Sequence, residues 1–453
     1  MSRRSVLTGW GRTAPTAAAL MHPRGRAEVA RLLADASPRG LIARGLGRAY
    51  GDAAQNGGGT VVSTARLDGA GSPGAEGFVT VGAGAGLDAL MQRFVPLGWT
   101  VPVSPGTRFV TVGGAIAADI HGKNHHRDGT FGAHVSSLRL ETPTGPREVG
   151  ATQDPELFWA TIGGMGLTGV ITEVTLRLHR VSSAWMRVDT DRADSLDDLL
   201  ARMSGSDDAY RYSVAWLDSL AAGRRLGRGV LTRGDVASAD EVPASQRASA
   251  LRFAPVSRLV APPWVPDHLL NPLSVRAFNE AWFRRSPRRQ RGRVMPFASF
   301  FHPLDGIRGW NRLYGASGFV QYQFVVPLGA EAALRAVLQR LADARVPSFL
   351  TVLKRFGPAN SAPLSFPLAG WTLALDIPAR VHGLGALLDT LDEVVAVAGG
   401  RVYLAKDSRL RPDVLSAMYP RLAEWRAARD AVDPDRVLQS DLNRRLDLTG
   451  QRA

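Results

Sequence analysis

The sequence predicts an α+β protein of two or three domains, and three observations carry that expectation. The chain has 453 residues, 45% hydrophobic and 21% charged, which is long enough to bury more than one sizeable core. Its first third sets a helix and short strands between three glycine-rich loops. After about Arg180 the texture changes, and amphipathic helical segments alternate with strands of period two.

In chain order, Arg26 to Ala36 ("RAEVARLLADA") puts Val29, Leu32, Leu33 and Ala36 at helical spacing. Gly40 then releases the chain into a short strand at Leu41 to Arg44. The loop that follows, "RGLGRAYGDAAQNGGG", spaces Gly45, Gly47 and Gly51 as G-x-G-x-x-x-G, with no amphipathic helix after it. It is therefore not a Rossmann turn, whose helix N-terminus carries the pyrophosphate. Successive backbone N–H groups in such a loop can still cradle a diphosphate. A second glycine loop spans Ser104 to His126. A third starts at Gly163 and runs into a strand in which Val170, Thr172, Val174 and Leu176 share a face, opposite Ile171, Glu173 and Thr175. Three such loops in one domain predict a large ligand touched at several points, with tight turns of a β-rich domain as the alternative.

Beyond Arg180, "DSLDDLLARM" and "EAALRAVLQRLADA" read as helices, and "YSVAWL", "GFVQYQFVVP", "SFLTVLKRFGP" and "WTLALDIP" as strands. Alternation groups Phe319 with Gln321 and Gln323, Leu350 with Val352, Lys354 and Phe356, and Thr372 with Ala374. Two Gln and a Lys among apolar neighbours need partners, and a ligand supplies them. Asp235 to Arg293 lacks clear periodicity and is rich in Pro, Ser and Arg, so it is expected to be a lid or a disordered segment. The chain closes with "GGRVYLAKDSR" and "VDPDRVLQSDLNRRLDL".

Composition narrows the partners. The net charge of +14 favours something anionic, and the excess peaks in "WFRRSPRRQRGR", Trp282 to Arg293, after a Pro-rich apolar stretch. Basic and aromatic residues beside apolar ones suit a lipid headgroup layer, and no helix-turn-helix, finger or RNP pattern points to nucleic acid. The competing reading is a solvated loop. No apolar run of about 18 residues is present, so a peripheral membrane association is expected with no spanning helix and with the membrane face open. The start "MSRRSVLTGWGRTAP" has an Arg pair but no apolar region behind it, so no cleaved signal is read there. There is no cysteine, which removes disulfides, thiolate metal sites and Cys nucleophiles.

Of 55 basic residues only Lys123, Lys354 and Lys406 are lysine. A chain so biased toward Arg keeps Lys where a compact, deprotonatable ammonium is needed, so the three nominate a site. His121 and His125 are four apart, but Gly122 weakens a helix there and no carboxylate motif accompanies them, so no metal is assigned. The RGD at Arg233 to Asp235 is given no weight.

The segments "TGWGRTAP", "ARGLGRAYGDAAQNGGG", "PGTRFVTVGGAIAADIHGKNHH", "ELFWATIGGMGLTGVI", "GFVQYQF", "APLSFP" and "LAKDSR", in that order, resemble the decaprenylphosphoryl-β-D-ribose 2′-oxidase family. These are flavin subunits of the actinobacterial epimerase that makes the arabinose donor for cell-wall arabinan. The resemblance implies a two-domain vanillyl-alcohol-oxidase/PCMH-type FAD-binding fold with an antiparallel-sheet substrate domain. Residues 1–180 would be the first part of the FAD domain, 181–399 the substrate domain with a mobile lid at about 235–295, and 400–453 a segment returning to the FAD domain. The implied activity is oxidation of the ribose C2′ hydroxyl to the 2′-keto sugar, passed to an NADH-dependent reductase partner. Two alternatives are an FAD-dependent oxidase of a soluble alditol or aldonolactone, and a basic surface-binding protein without activity.

Carried over residue by residue, the resemblance implies FAD contacts from Ala43, Arg44, Gly45, Leu46, Gly47, Arg48, Ala49, Tyr50, Gly51, Asp52 and Ala53. Further contacts would come from Gly106, Thr107, Thr111, Val112, Gly113, Gly114, Ala118, Asp119, Ile120, His121, Ile171 and Tyr403. The pyrophosphate loop has neither His nor Cys, so FAD is expected to be noncovalent. Lys406, Tyr403 and His121 would be catalytic, and Lys123, Trp216, Gln321, Gln323, Lys354, Phe356, Thr372 and Ala374 would face the substrate. Mycobacterial members carry, at the position of Ala374, a cysteine to which nitroaromatic inhibitors attach, and an Asn at that of Thr372. Phe301 and Val214 stand where Tyr and Ser are familiar.

Overall fold

An eight-stranded antiparallel sheet stands at the centre of the computed structural model, which describes residues 3–450; Met1 and Ser2 of the segment read for a signal lie outside the described residues. Its strands run, side by side, Arg289–Pro296, Trp185–Ala193, Gly229–Val236, Tyr212–Leu217, Thr351–Phe356, Gly370–Pro378, Phe319–Pro327 and Arg401–Val402. One face is apolar, because Ala215, Leu353, Leu373, Leu375, Tyr322 and Phe324 alternate onto it. Helices Leu196–Ser206, Glu331–Asp343 and Leu384–Val397 cover that face with residues such as Leu199, Leu334, Leu338, Leu388 and Leu391. Each such side chain contributes about 1.5–3 kcal/mol by burial, which fixes the register of the strands and so the position of every residue on the other face.

That other face is polar. In register across four strands lie Trp216, Val352, Ala374 and Gln323. Flanking this row are the pairs Lys354 with Thr372 and Gln321 with Asp376.

The N-terminal region supplies two smaller sheets. The first is ordered Arg3–Leu7, Thr16–Met21, Thr60–Ser63 and Leu41–Arg44, its last two pairings parallel. The second is antiparallel, ordered Phe78–Gly82, Val170–Arg177, Val135–Thr142 and Gly145–Gly150. The end of the chain returns to them: Leu438 bridges Leu41 in parallel, the Asp441 carboxylate accepts from the Gly57 amide at 2.9 Å, and Arg445 pairs with Asp52 at 2.8 Å and Asp407 at 2.9 Å.

Asp235 to Arg293 differs from its expected irregularity. It holds a 14-residue helix, Pro272–Arg285, and the start of the edge strand Arg289–Pro296. Asn271 caps the helix by accepting from the amides of Leu273 and Ser274, while the Ser274 hydroxyl accepts from the Asn271 amide. The buried stripe is Val275, Asn279 and Phe283. Its periodicity is hidden in the sequence because the middle member is polar, donating at 2.8 Å to the Asp218 carboxylate.

Candidate functional site

Lys406 sits in a turn after the short edge strand Arg401–Val402. Tyr403 continues the pairing by donating its amide to the Gln323 carbonyl at 2.9 Å, and the Lys406 amide closes the turn on the Tyr403 carbonyl at 2.9 Å. This aims the lysine side chain at the glycine loop, where its Nζ lies 3.8 Å from the centre of the Tyr50 ring. Burial lowers the Lys406 pKa to about 8, against the opposing charge of Asp376. Asp376 itself is inaccessible to solvent. Burial raises its pKa to about 7, while the Gln321 amide donates to its Oδ1 and Lys406 pulls the other way. Its Oδ2 has no partner among the described residues.

His121 occupies the middle of the polar face. Its Nδ1 is 3.0 Å from the Lys354 Nζ and its Nε2 is 2.9 Å from the Gln323 side-chain nitrogen. The ring is walled by Phe356, Tyr403 and Phe366, at 4.7, 5.6 and 5.8 Å between centroids. Burial, then the charge of Lys354, hold His121 well below the usual imidazole range, so it is neutral at physiological pH. Lys354 is lowered to about 7 by burial and then by Lys123 and Lys406.

Lys123 takes a separate post. Its ammonium donates to the Phe300 carbonyl and lies 4.4 Å from the Phe300 ring centre, and burial lowers it to about 7. His125, from the same segment, packs 4.4 Å from Phe356 and accepts from the Gly357 amide at 3.1 Å. The two histidines thus flank one phenylalanine. Among the described residues no three His, Asp or Glu side chains gather as a metal-binding group.

Asp376 is the site residue that sequence reasoning missed. The alternation that groups Thr372 with Ala374 extends two residues further to Asp376 on the same face. A carboxylate in an otherwise apolar strand was the available signal.

The glycine loop fits a diphosphate-bearing cofactor. The amides of Gly45, Leu46, Gly47, Arg48 and Ala49 donate to nothing among the described residues, and Gly47 turns the chain at φ 63°, so successive N–H groups are free for an anion. Gly45 lies against Thr111, where a Cβ would meet the threonine hydroxyl. Thr111 caps helix Val112–Ala117 by accepting from the Gly114 amide at 3.2 Å, and the Gly113 amide donates to the Ala83 carbonyl at 2.8 Å. Other members of the set brace the loop. Arg44 donates to the Ala54 and Thr8 carbonyls, Arg48 stacks 3.8 Å from the Trp10 ring centre, and Asp52 is held by Arg445. Gly106 leads into Thr107, whose hydroxyl donates to Asp305 at 2.7 Å. Asp119, at φ 40°, accepts from Asn360, Ser365 and the Gly132 amide. The Tyr403 hydroxyl donates to the Ala118 carbonyl at 2.7 Å, joining the lysine turn to this wall. Val112 and Ile120 are core residues beside it, Ile171 is buried in the strand opposite Leu140, and Ala53 is packed in the core.

From this centre a line of rings leads outward. Tyr50 contacts Phe319 at 5.3 Å, Phe319 stacks on Tyr314 at 4.2 Å, and Tyr314 stacks on Phe349 at 5.9 Å. Phe278 follows at 5.7 Å and stacks on Trp282 at 6.2 Å. Trp216 joins at its outer end, 6.5 Å from Trp282, its indole donating to the Phe349 carbonyl. There the surface is apolar: Leu259, Val260, Trp264, Leu273, Phe278 and Trp282 are all exposed. Arg276, Arg284, Arg285, Arg289, Arg291 and Arg293 are exposed in the same stretch. No helix among the described residues is long and apolar enough to cross a membrane.

Residues 17–149 match the family model described as FAD binding domain, and 375–446 match that of D-arabinono-1,4-lactone oxidase. Over 449 residues the chain is 44% identical to a decaprenylphosphoryl-beta-D-ribose oxidase of Mycolicibacterium smegmatis, covering 98% of this chain and 97% of that one. An uncharacterized Streptomyces coelicolor protein is 44% identical over 80% of this chain and 100% of its own length. Among solved structures, a variant of Physcomitrella patens BBE-like 1 superposes with a TM-score of 0.67 at 15% identity, over 94% of this chain and 90% of that one. The fold is therefore the two-domain BBE-like FAD fold with mixed helices and antiparallel sheets.

Proposed function

Because the chain belongs to the decaprenylphosphoryl-β-D-ribose oxidase family, an FAD-dependent oxidoreductase family, we propose that the polar face of the large sheet is where the ribose C2′ position is oxidised. The enzyme oxidises decaprenylphosphoryl-β-D-ribofuranose to the 2′-keto sugar: the C2′ hydroxyl gives up its proton, and the C2′ carbon, not the hydroxyl, gives up the hydride. When bound, FAD supplies the two-electron acceptor for this oxidation. The backbone amides of Gly45 to Ala49 would hold its diphosphate, with Thr111, Gly113 and Gly114 behind them. No His or Cys lies in that loop, so the cofactor is held without a covalent bond.

The observation that carries the reading is Lys406, largely buried over Tyr50 and lowered to about 8. At that value the amine form is populated at physiological pH, and an amine accepts the hydroxyl proton as the carbonyl forms. An arginine in its place would stay charged. Gln321, Gln323, Thr372 and Lys354 offer donors and acceptors for the sugar's other hydroxyls, and His121 and Tyr403 wall the reacting carbon. Ala374 contributes space.

The exposed Leu273, Phe278 and Trp282, with arginines around them, suit the headgroup layer of an anionic membrane and the polyprenyl chain held in it. Release of the keto sugar beside that surface would leave it for an NADH-dependent reductase partner.

Anaerobic mixing with polyprenyl-phosphoribose tests the reading and should bleach the flavin absorbance. Bleaching by free alditols or aldonolactones alone would assign the enzyme to the soluble-substrate class instead.

A further inference from the structure

We propose that Asp376 is a positioning residue for Lys406: its carboxylate, anchored by Gln321, is the counter-charge that decides at which pH the lysine can take the substrate's proton. The proposal rests on the reading of Lys406 as proton acceptor.

Asp376 lies two residues beyond Ala374 on the polar face and opposite Gln321 in register. It is entirely inaccessible to solvent, its Oδ1 accepts from the Gln321 amide, and its Oδ2 has no partner among the described residues. No Lys, Arg or His nitrogen stands within the 4.0 Å of an ion pair with it among those residues. A buried carboxylate without a close cation is disfavoured by lost hydration, so a site that keeps one uses it. The strand needs only an apolar residue there for packing, since Leu373, Leu375 and Ile377 already hold the opposite face.

Among the described residues, Asp376 is the carboxylate whose charge acts on Lys406, since the adjacent Asp407 is paired with Arg445 at 2.9 Å. From the glycine loop comes Tyr50, and beyond it Tyr314; burial raises both phenols well above their ordinary range, so both stay neutral. From the strand beside Asp376 comes Gln321, which is uncharged. Across the face, His121 is neutral and Lys354, when protonated, repels Lys406. Burial pushes Lys406 toward the amine, and Asp376 opposes it. The two are joined through Tyr50 and Gln321: the Lys406 ammonium lies 3.8 Å from the Tyr50 ring centre, the Tyr50 oxygen accepts from the Gln321 side chain, and the same Gln321 amide donates to the Asp376 carboxylate.

The chain's three lysines make the test direct. Competitive acetylation of the FAD-loaded protein from pH 5 to 10, read by peptide mass, follows Lys123, Lys354 and Lys406 separately. In Asp376→Asn the midpoint for Lys406 should fall by about one pH unit, with Lys123 unmoved, and the acid limb of kcat/KM should fall with it. Asp376→Glu should restore both toward the parent. Gln321→Leu should shift Lys406 the same way as Asp376→Asn, since the carboxyl loses its donor and holds its proton more tightly; this second variant serves if Asp376→Asn does not fold. An unmoved Lys406 midpoint in a folded variant, or a kcat/KM lowered equally at every pH, overturns the proposal. Labelling reads the lysine's proton directly, so it stays decisive even if the substrate reading fails.

Discussion

Lys354 and His121 face each other across 3.0 Å, Nζ to Nδ1, while the Gln323 amide nitrogen stands 2.9 Å from the other ring nitrogen. A neutral imidazole has one N–H and one lone pair, so it cannot accept from two donors. The arrangement is satisfied when Lys354 is an amine that accepts from Nδ1–H and Gln323 donates to Nε2. Lowering of Lys354 to about 7 makes that state available. The rare lysine thus fixes the tautomer of the histidine.

A stability profile follows from the same groups. Folded Lys123 and Lys354 have pKa values of about 7 and Lys406 about 8, all below the ordinary 10.5. Between these values and 10.5 the unfolded chain binds more protons, so stability rises with pH through that window, and what is gained at high pH is lost by the time pH has fallen to about 7. Each lysine contributes at most about 1.4 kcal/mol per pH unit. Thermal melts of the flavin-free protein should therefore show a midpoint climbing from pH 7 to 9, and Lys354→Met should flatten the climb. A midpoint that falls over this range would contradict the assignment.

Lys406→Arg preserves charge but cannot release a proton. Substrate-driven bleaching should slow by at least about 100-fold, the usual worth of a general base, with flavin content unchanged. Stopped-flow absorbance under nitrogen measures both.

Ala374 has no thiol, so nitroaromatic compounds that attach to cysteine in mycobacterial relatives should leave the intact mass unchanged while turnover continues. Ala374→Cys should gain one adduct per chain by mass spectrometry.

Gly51 packs against the backbone of Asp407, and a Cβ there would run into the Asp407 carbonyl oxygen. Gly51→Ala should push the glycine loop away from the lysine turn, at a cost of about 1–3 kcal/mol. The purified variant should show a lowered ratio of flavin to protein absorbance.

Phe278 and Trp282 are each nearly half exposed. Changing both to Ala should reduce cosedimentation with anionic vesicles several-fold, with little effect on bleaching by a short-chain substrate. Unchanged vesicle binding would move the membrane contact elsewhere.

Much of this was legible in the residues. The Gln321, Gln323 and Lys354 alternation lies on one face as its period requires, and the three rare lysines are all largely buried with lowered pKa values. Lys123 shows the limit of that reasoning: its neighbour in sequence, His121, faces the polar sheet, but its own ammonium turns to the Phe300 carbonyl. Helix Pro272–Arg285 was hidden because Asn279 interrupts its apolar stripe, although Asn-Pro-x-Ser at 271–274 is a cap signature. The strand Arg289–Pro296 looked like a charged loop because it is a sheet edge, where arginines can point to solvent.

The return of residues 433–449 to the first sheet also sets an order of events during synthesis. The glycine loop is made early, but Asp52 waits for Arg445, Gly57 for Asp441 and Leu41 for Leu438. A nascent chain still missing its last two helices on the ribosome has the flavin loop without its supports. A chain stalled before Leu438 should therefore emerge colourless however well its large sheet has folded.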